Sequence, residues 1–217
     1  MVGAARSSLR SQLRASIIGI VCGILLTAFI GGCAIPLAAP FVQPAPVLNG
    51  ALLTPSRPVP SLSLQRTDGS TFTPADFQGR LSLVFFGYTF CPDVCPLTLV
   101  EVARVRKLLG PDAQYLDAYF VTVDPTRDTP ERLRAYAKGF DPAIEPLTGG
   151  AAELEQMRAA FGAVAERREN PSGGPVYFMD HTAALFLVDA AGEISLVYAY
   201  GTPPDQIADD VRLLVRR

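Results

Sequence analysis

Cys91 and Cys95, with three residues between them, are the pair in this sequence best equipped for chemistry. On a helical turn, positions i and i+4 share a face. Their Cα atoms would then lie about 6 Å apart, inside disulfide range. The same closeness lets two sulfurs grip one soft metal ion, so spacing alone does not separate redox chemistry from metal binding. Pro96 and the helical pattern of Leu97–Leu109 follow, which puts the thiols at a helix N-terminus with Cys95 at the N-cap. A helix N-terminus favours thiolate, the form that attacks and the form that ligates. A plain stabilising disulfide fits poorly, because a bridge across so few residues removes little chain entropy.

The only histidine, His181, is the third element, provided the fold returns it to the sulfurs. Two thiolates and one imidazole form a soft donor set that suits copper, above all Cu(I). The same trio could hold zinc, which usually wants a fourth ligand. Asp180 beside the histidine either orients the ring or caps the turn. Met179 would share a strand face with His181, where a thioether could assist copper, but core packing is its usual role. Asp124 and Asp128 flank a turn and a helix start and read as capping and loop residues.

The elements that must position these groups alternate between strand and helix. Ser61–Arg66 and Ser70–Thr73 read as a hairpin about Asp68-Gly69. Leu81–Phe86 is an apolar run, as in a strand covered on both faces, and it leads directly to the thiols. Leu116–Val123 is the next strand, and Thr129-Pro130-Glu131 opens a helix ending near Gly139. A short strand at Ile144–Thr148 and a helix at Glu153–Phe161 precede the Gly- and Pro-rich loop Asn170–Pro175. Strands at Val176–Met179 and Ala183–Val188 flank His181. Glu193–Tyr200 follows, and Pro203–Arg217 closes with a helix. This order implies an α/β sandwich with a partly parallel sheet.

The chain has 217 residues, 49% hydrophobic and 18% charged, enough for one packed domain and an appendage. A net charge of -2 provides no basic field for nucleic acid. Arg6, Arg10 and Arg14, without any acid, precede the apolar Ile17–Ile30. Such a segment directs the remainder across a membrane. Gly31-Gly32-Cys33 resembles a bacterial lipoprotein processing site, which would make Cys33 a lipidated first residue. The alternative is an uncleaved membrane helix. Residues 1–33 are thus the anchor, 34–58 a proline-rich linker that acts as a spacer, and 59–217 the globular domain.

FFGYTFCPDVCP at 85–96, VTVDPTRDTPE at 121–131 and DHTAALFLVD at 180–189 resemble, in order and separation, the three signature blocks of the Sco/SenC family. The resemblance runs from about Pro58 to Arg217. It implies a thioredoxin-like sandwich with a central mixed β-sheet flanked by helices. An N-terminal hairpin and a β-hairpin insertion before the histidine complete that fold. It also implies copper, as Cu(I) or Cu(II), held by Cys91, Cys95 and His181. The implied partner is the copper-bearing subunit of cytochrome c oxidase, with other copper chaperones or a thiol reductant as further partners. The implied location is the extracytoplasmic face of the bacterial cytoplasmic membrane. Thioredoxins place two residues between their cysteines, and peroxiredoxins need a threonine where Tyr88 stands, so both fit less well.

Three functions are open to this sequence. One is a copper metallochaperone for the dinuclear copper centre of the oxidase, a carrier rather than a turnover enzyme. Another is a thiol–disulfide oxidoreductase that keeps the oxidase's copper-ligand cysteines reduced, for which Cys91 and Cys95 suffice. The third is a tethered interaction domain whose thiols are incidental. Only the first requires His181.

Overall fold

The computed structural model describes residues 47–170 and 176–216. The arginine-rich start, the apolar segment, Cys33 and the first part of the expected linker lie outside them. Among the described residues, no helix is long and apolar enough to cross a membrane.

In chain order the strands are β1 (Ala51–Pro58), β2 (Leu64–Arg66), β3 (Thr71–Phe72), β4 (Leu81–Gly87) and β5 (Leu116–Thr122). They continue as β6 (Ile144–Thr148), β7 (Ala165–Glu169), β8 (Tyr177–His181), β9 (Leu185–Val188) and β10 (Glu193–Tyr198). The α-helices are α1 (Val94–Leu109), α2 (Pro130–Lys138), α3 (Ala151–Phe161) and α4 (Pro204–Val215). One eight-stranded sheet has the order β1-β10-β9-β4-β5-β6-β2-β3, and β7 and β8 form a separate pair. β4, β5 and β6 are parallel to one another, whereas β9 runs antiparallel to β4. This is the mixed α/β sheet, flanked by helices, that the sequence implies. The N-terminal hairpin is β2–β3, and the expected insertion is β7–β8, which ends on the histidine rather than before it.

β4 is the spine. All of its residues are buried, because helices cover both faces of the sheet. Phe85 stacks near Phe120 of β5 at 6.0 Å, and Tyr136 of α2 lies 5.8 Å beyond Phe120 on the same side. Phe86 points the other way and meets Phe161 of α3 at 5.3 Å and Phe186 of β9 at 5.9 Å. The strand's period of two thus divides the core into two layers. α1 and α4 pack on each other. Local signals set the ends: the Thr129 hydroxyl accepts the Arg132 N–H at the start of α2, and Gly162 closes α3 in the left-handed region at φ 69°.

The sheet begins earlier than the boundary expected at residue 59. β1 pairs antiparallel with β10, so Ala51–Pro58 belongs to the sheet and not to the linker. Its prolines hid it, since proline removes a ladder donor. An edge strand tolerates that loss, and β1 lies at the edge. The residues just before it are clamped too. Asp210, fully buried on α4, accepts the backbone N–H groups of Asn49 and Gly50 at 2.9 Å each.

Candidate metal centre

The carboxyl end of β4 carries the chain into the loop Tyr88–Asp93 and then into α1. This end lies at the carboxyl edge of the parallel strands β4, β5 and β6, the usual side for a ligand in an α/β sheet. Gly87 is glycine for a steric reason. A Cβ there would come within 2.8 Å of the Cys95 sulfur and 2.9 Å of the Phe85 and Phe120 rings. α1 starts at Val94 with Asp93 as its N-cap, so Cys95 sits inside the first turn, not at the cap position expected from Pro96. That shift buries Cys95 completely and leaves Cys91 half-buried at the rim.

His181 is the last residue of β8 and reaches back to this spot. Its Nε2 lies 3.2 Å from Cys95 Sγ. The donor atoms of Cys91, Cys95 and His181 all lie within 4.8 Å of one another. The three side chains converge as the sequence required. His181 Nδ1 lies 3.2 Å from the carbonyl oxygen of Thr182. A carbonyl only accepts, so this contact places the proton on Nδ1 and leaves the Nε2 lone pair facing the sulfurs. Asp180 does not orient the ring; it pairs with Arg168 on the surface. The ring is packed edge-on by Phe85 at 5.9 Å and Tyr88 at 5.8 Å.

Both cysteines are free thiols, and their protons are distributed unequally. A hydrogen bond from Cys95 lowers the Cys91 thiol to about 4, helped by backbone N–H groups of the turn. The Cys95 N–H, 3.4 Å from Cys91 Sγ, is one of those donors. Cys95 is raised, first by giving that hydrogen bond and then by burial. The resting pair is an outer thiolate beside an inner thiol. Cys91, His181, Tyr88, Val94, Phe178 and Ala183 line an open groove of about 420 Å³, so Cys91 and His181 are reachable from outside.

Other residues hold this arrangement, and the loop-structuring role expected of Asp124 and Asp128 is theirs. Asp128 is buried, and burial holds its carboxyl above the usual range. It accepts the Thr89 N–H at 3.2 Å, the Thr89 hydroxyl at 2.6 Å and the Thr122 hydroxyl at 2.6 Å. It thereby fixes the loop two residues before Cys91. Asp124 is also buried and pairs with Arg127, while accepting the Tyr177 hydroxyl at 2.8 Å. Met179 lines the same groove, and its backbone N–H donates to the Tyr88 hydroxyl at 3.3 Å. Two acids in the short stretch Asp124–Asp128, between a buried strand and a helix, were the available signal.

Two thiols and an imidazole with a free Nε2 fit a soft ion, and Cu(I) fits them best. Cys91, Cys95 and His181 could form such a metal site. Comparison with known proteins agrees. The ScoI protein of Bradyrhizobium japonicum, solved with copper bound, is 33% identical and matches at a TM-score of 0.65, over 77% of this chain and 99% of that one. The apo Sco1 protein of Thermus thermophilus is 31% identical at a TM-score of 0.69, over 79% of this chain and 99% of that one. An SCO2-like protein of Rickettsia conorii is 30% identical over 145 residues, 67% of this chain and 71% of that protein. The SCO1/SenC family model matches residues 53–216. That match starts inside β1 and takes in the cysteine pair, the loop of buried acids and the histidine, and by it this chain belongs to the SCO1/SenC family.

Proposed function

We propose that this protein is a membrane-tethered, extracytoplasmic copper carrier that serves the dinuclear copper centre of cytochrome c oxidase. Cys91, Cys95 and His181 hold the ion, and the oxidase's copper-bearing subunit receives it. The observation that carries this reading is the approach of His181 Nε2 to within 3.2 Å of Cys95 Sγ, since thiol exchange does not require it. The copper-bound Bradyrhizobium relative supports the choice of metal. The family's role in oxidase assembly supports the choice of recipient. The tether rests on the pattern of arginines before Ile17–Ile30, with residues 1–33 as anchor through a helix or a lipid on Cys33. The chain from residue 34 to the start of β1 then serves as the spacer.

The chemistry of loading follows from the protonation pattern. Cys91 is already the anion and His181 already offers a lone pair, so an incoming cation meets two ready donors. Cys95 gives up its proton as the ion arrives, which releases about one proton per copper near neutral pH. The test is copper content and spectrum of the full chain beside its His181→Ala variant. About one copper per chain is expected, lost on removing the third ligand. Stoichiometric copper retained by His181→Ala would overturn the reading.

A second reading has its own observation. A low-pKa outer thiolate above a buried inner thiol is also the arrangement of a dithiol reductant. On that reading the protein keeps the recipient's cysteines reduced. A His181→Ala variant that still supports oxidase assembly would favour it.

A further inference from the structure

His181 is delivered by a hairpin that, among the described residues, pairs with no other strand: β7 and β8 form their own two-stranded sheet. An isolated hairpin is marginally stable in water. The position of the imidazole therefore depends on what bolts that hairpin to the domain. Alternate residues of a strand share a face, so Tyr177, Met179 and His181 of β8 lie along one side.

Arg127 is the bolt. It stands in the loop between β5 and α2, outside both cysteine and histidine segments. Its Nη1 donates to the Tyr177 carbonyl at 2.9 Å, and its guanidinium lies 3.5 Å from the centroid of the Tyr177 ring. The same guanidinium lies 4.8 Å from the Phe90 ring and 5.6 Å from the Tyr88 ring, on the loop that carries Cys91. Its charge is held in place by the buried Asp124, which also accepts the Tyr177 hydroxyl at 2.8 Å. One planar cation thus binds the thiol-bearing loop to the histidine-bearing strand. Lysine could supply the charge but neither the stacking nor the directed N–H fork.

We propose that the Asp124–Arg127–Tyr177 latch is the positioning device that sets His181 against the two thiols. It controls how long copper stays bound without touching the ion. The inference rests on the copper reading above. Loosening the latch frees the β7–β8 hairpin, so the imidazole leaves more often and the ion is left on two sulfurs. Outer contacts that orient ligands commonly set metal affinity by about 10–100-fold.

The test is a double-mutant cycle in the full chain, read by the rate at which copper is lost to a Cu(I) chelator. Arg127→Gln is expected to speed that loss about tenfold. In the His181→Ala background, loaded with excess Cu(I) so that its weakly held ion can be followed, the same substitution should change the rate little, because the ligand through which Arg127 acts is gone. Equal effects in both backgrounds would show general weakening of the fold and overturn the proposal. No effect in the wild-type background would overturn it as well. Arg127→Gln leaves the buried Asp124 without its cation, so the fold itself is at risk. Asp124→Asn combined with Arg127→Gln removes that unpaired charge, and it should melt near the wild type yet still lose copper fast. A wild-type rate from that folded double variant would again sink the latch. If instead His181→Ala retains copper as firmly as the wild type, the copper reading fails first and the latch is not the cause.

Discussion

At the scale of single residues, the unequal protonation of the two thiols is the most readily tested feature. Cys91 is lowered to about 4 and Cys95 is raised, so iodoacetamide at pH 6 should modify Cys91 and spare Cys95. The linkage to stability has a defined sign. The folded-state value of Cys91 lies below the ordinary thiol value of 9.0, so its contribution is full above about pH 9 and drains away as pH falls through about 4. Cys95 acts oppositely. Above about pH 9 the unfolded thiol ionises but the buried one does not, so stability falls there. In the reduced protein, denaturant midpoints should climb from pH 5 to pH 8, and Cys91→Ser should flatten that climb. A flat profile in the wild type would contradict the thiolate. Gly87→Ala makes a steric prediction at the same scale. Its methyl would meet Cys95 Sγ at 2.8 Å, costing about 1–3 kcal/mol of stability and weakening copper retention. Unchanged thermal unfolding would show that the sulfur can move aside.

At the scale of elements, two attachments decide the site and the domain. Asp128 holds the loop before Cys91 through three donors from Thr89 and Thr122. Asp128→Ala leaves buried donors unpaired, at about 1–3 kcal/mol each, and should lower both melting temperature and copper affinity. A variant with native copper affinity would separate that loop from the site. The second attachment is β1. A fragment starting at Val59 lacks β1, bares the edge of β10, and strips Asp210 of its Asn49 and Gly50 donors. It should melt well below a fragment starting at Val47 and tend to aggregate; equal melting curves would mean β1 is dispensable. The strand runs and the cysteine-bearing helix were legible in the sequence because apolar periodicity marks them. β1 was not, because its prolines and exposed positions imitate a linker. Cys95 was placed at a cap because Pro96 is compatible with several early helical positions, and only packing against Gly87 decides among them.

At the scale of the whole molecule, the sheet order explains why residues so far apart in sequence form one centre. β4 ends at the thiols, and β9, its antiparallel neighbour, starts just after His181. The chain between them builds β5, β6 and helices α1, α2 and α3, then returns through the β7–β8 hairpin. The meeting of His181 with the cysteines was legible only as a condition, since a lone histidine between strands carries no direction of its own. Once the sheet order is known, the condition becomes a consequence. The latch through Arg127 was not legible, because its partners come from three separate segments and its own motif reads as a turn before a helix.

The most direct measurement is X-ray absorption at the copper edge of the loaded full chain, with the His181→Ala variant alongside. Two sulfur scatterers and one imidazole nitrogen are predicted for the wild type, with no imidazole signal from whatever copper the variant retains. A wild-type spectrum without imidazole, or one that His181→Ala leaves unchanged, would contradict a copper centre built from Cys91, Cys95 and His181.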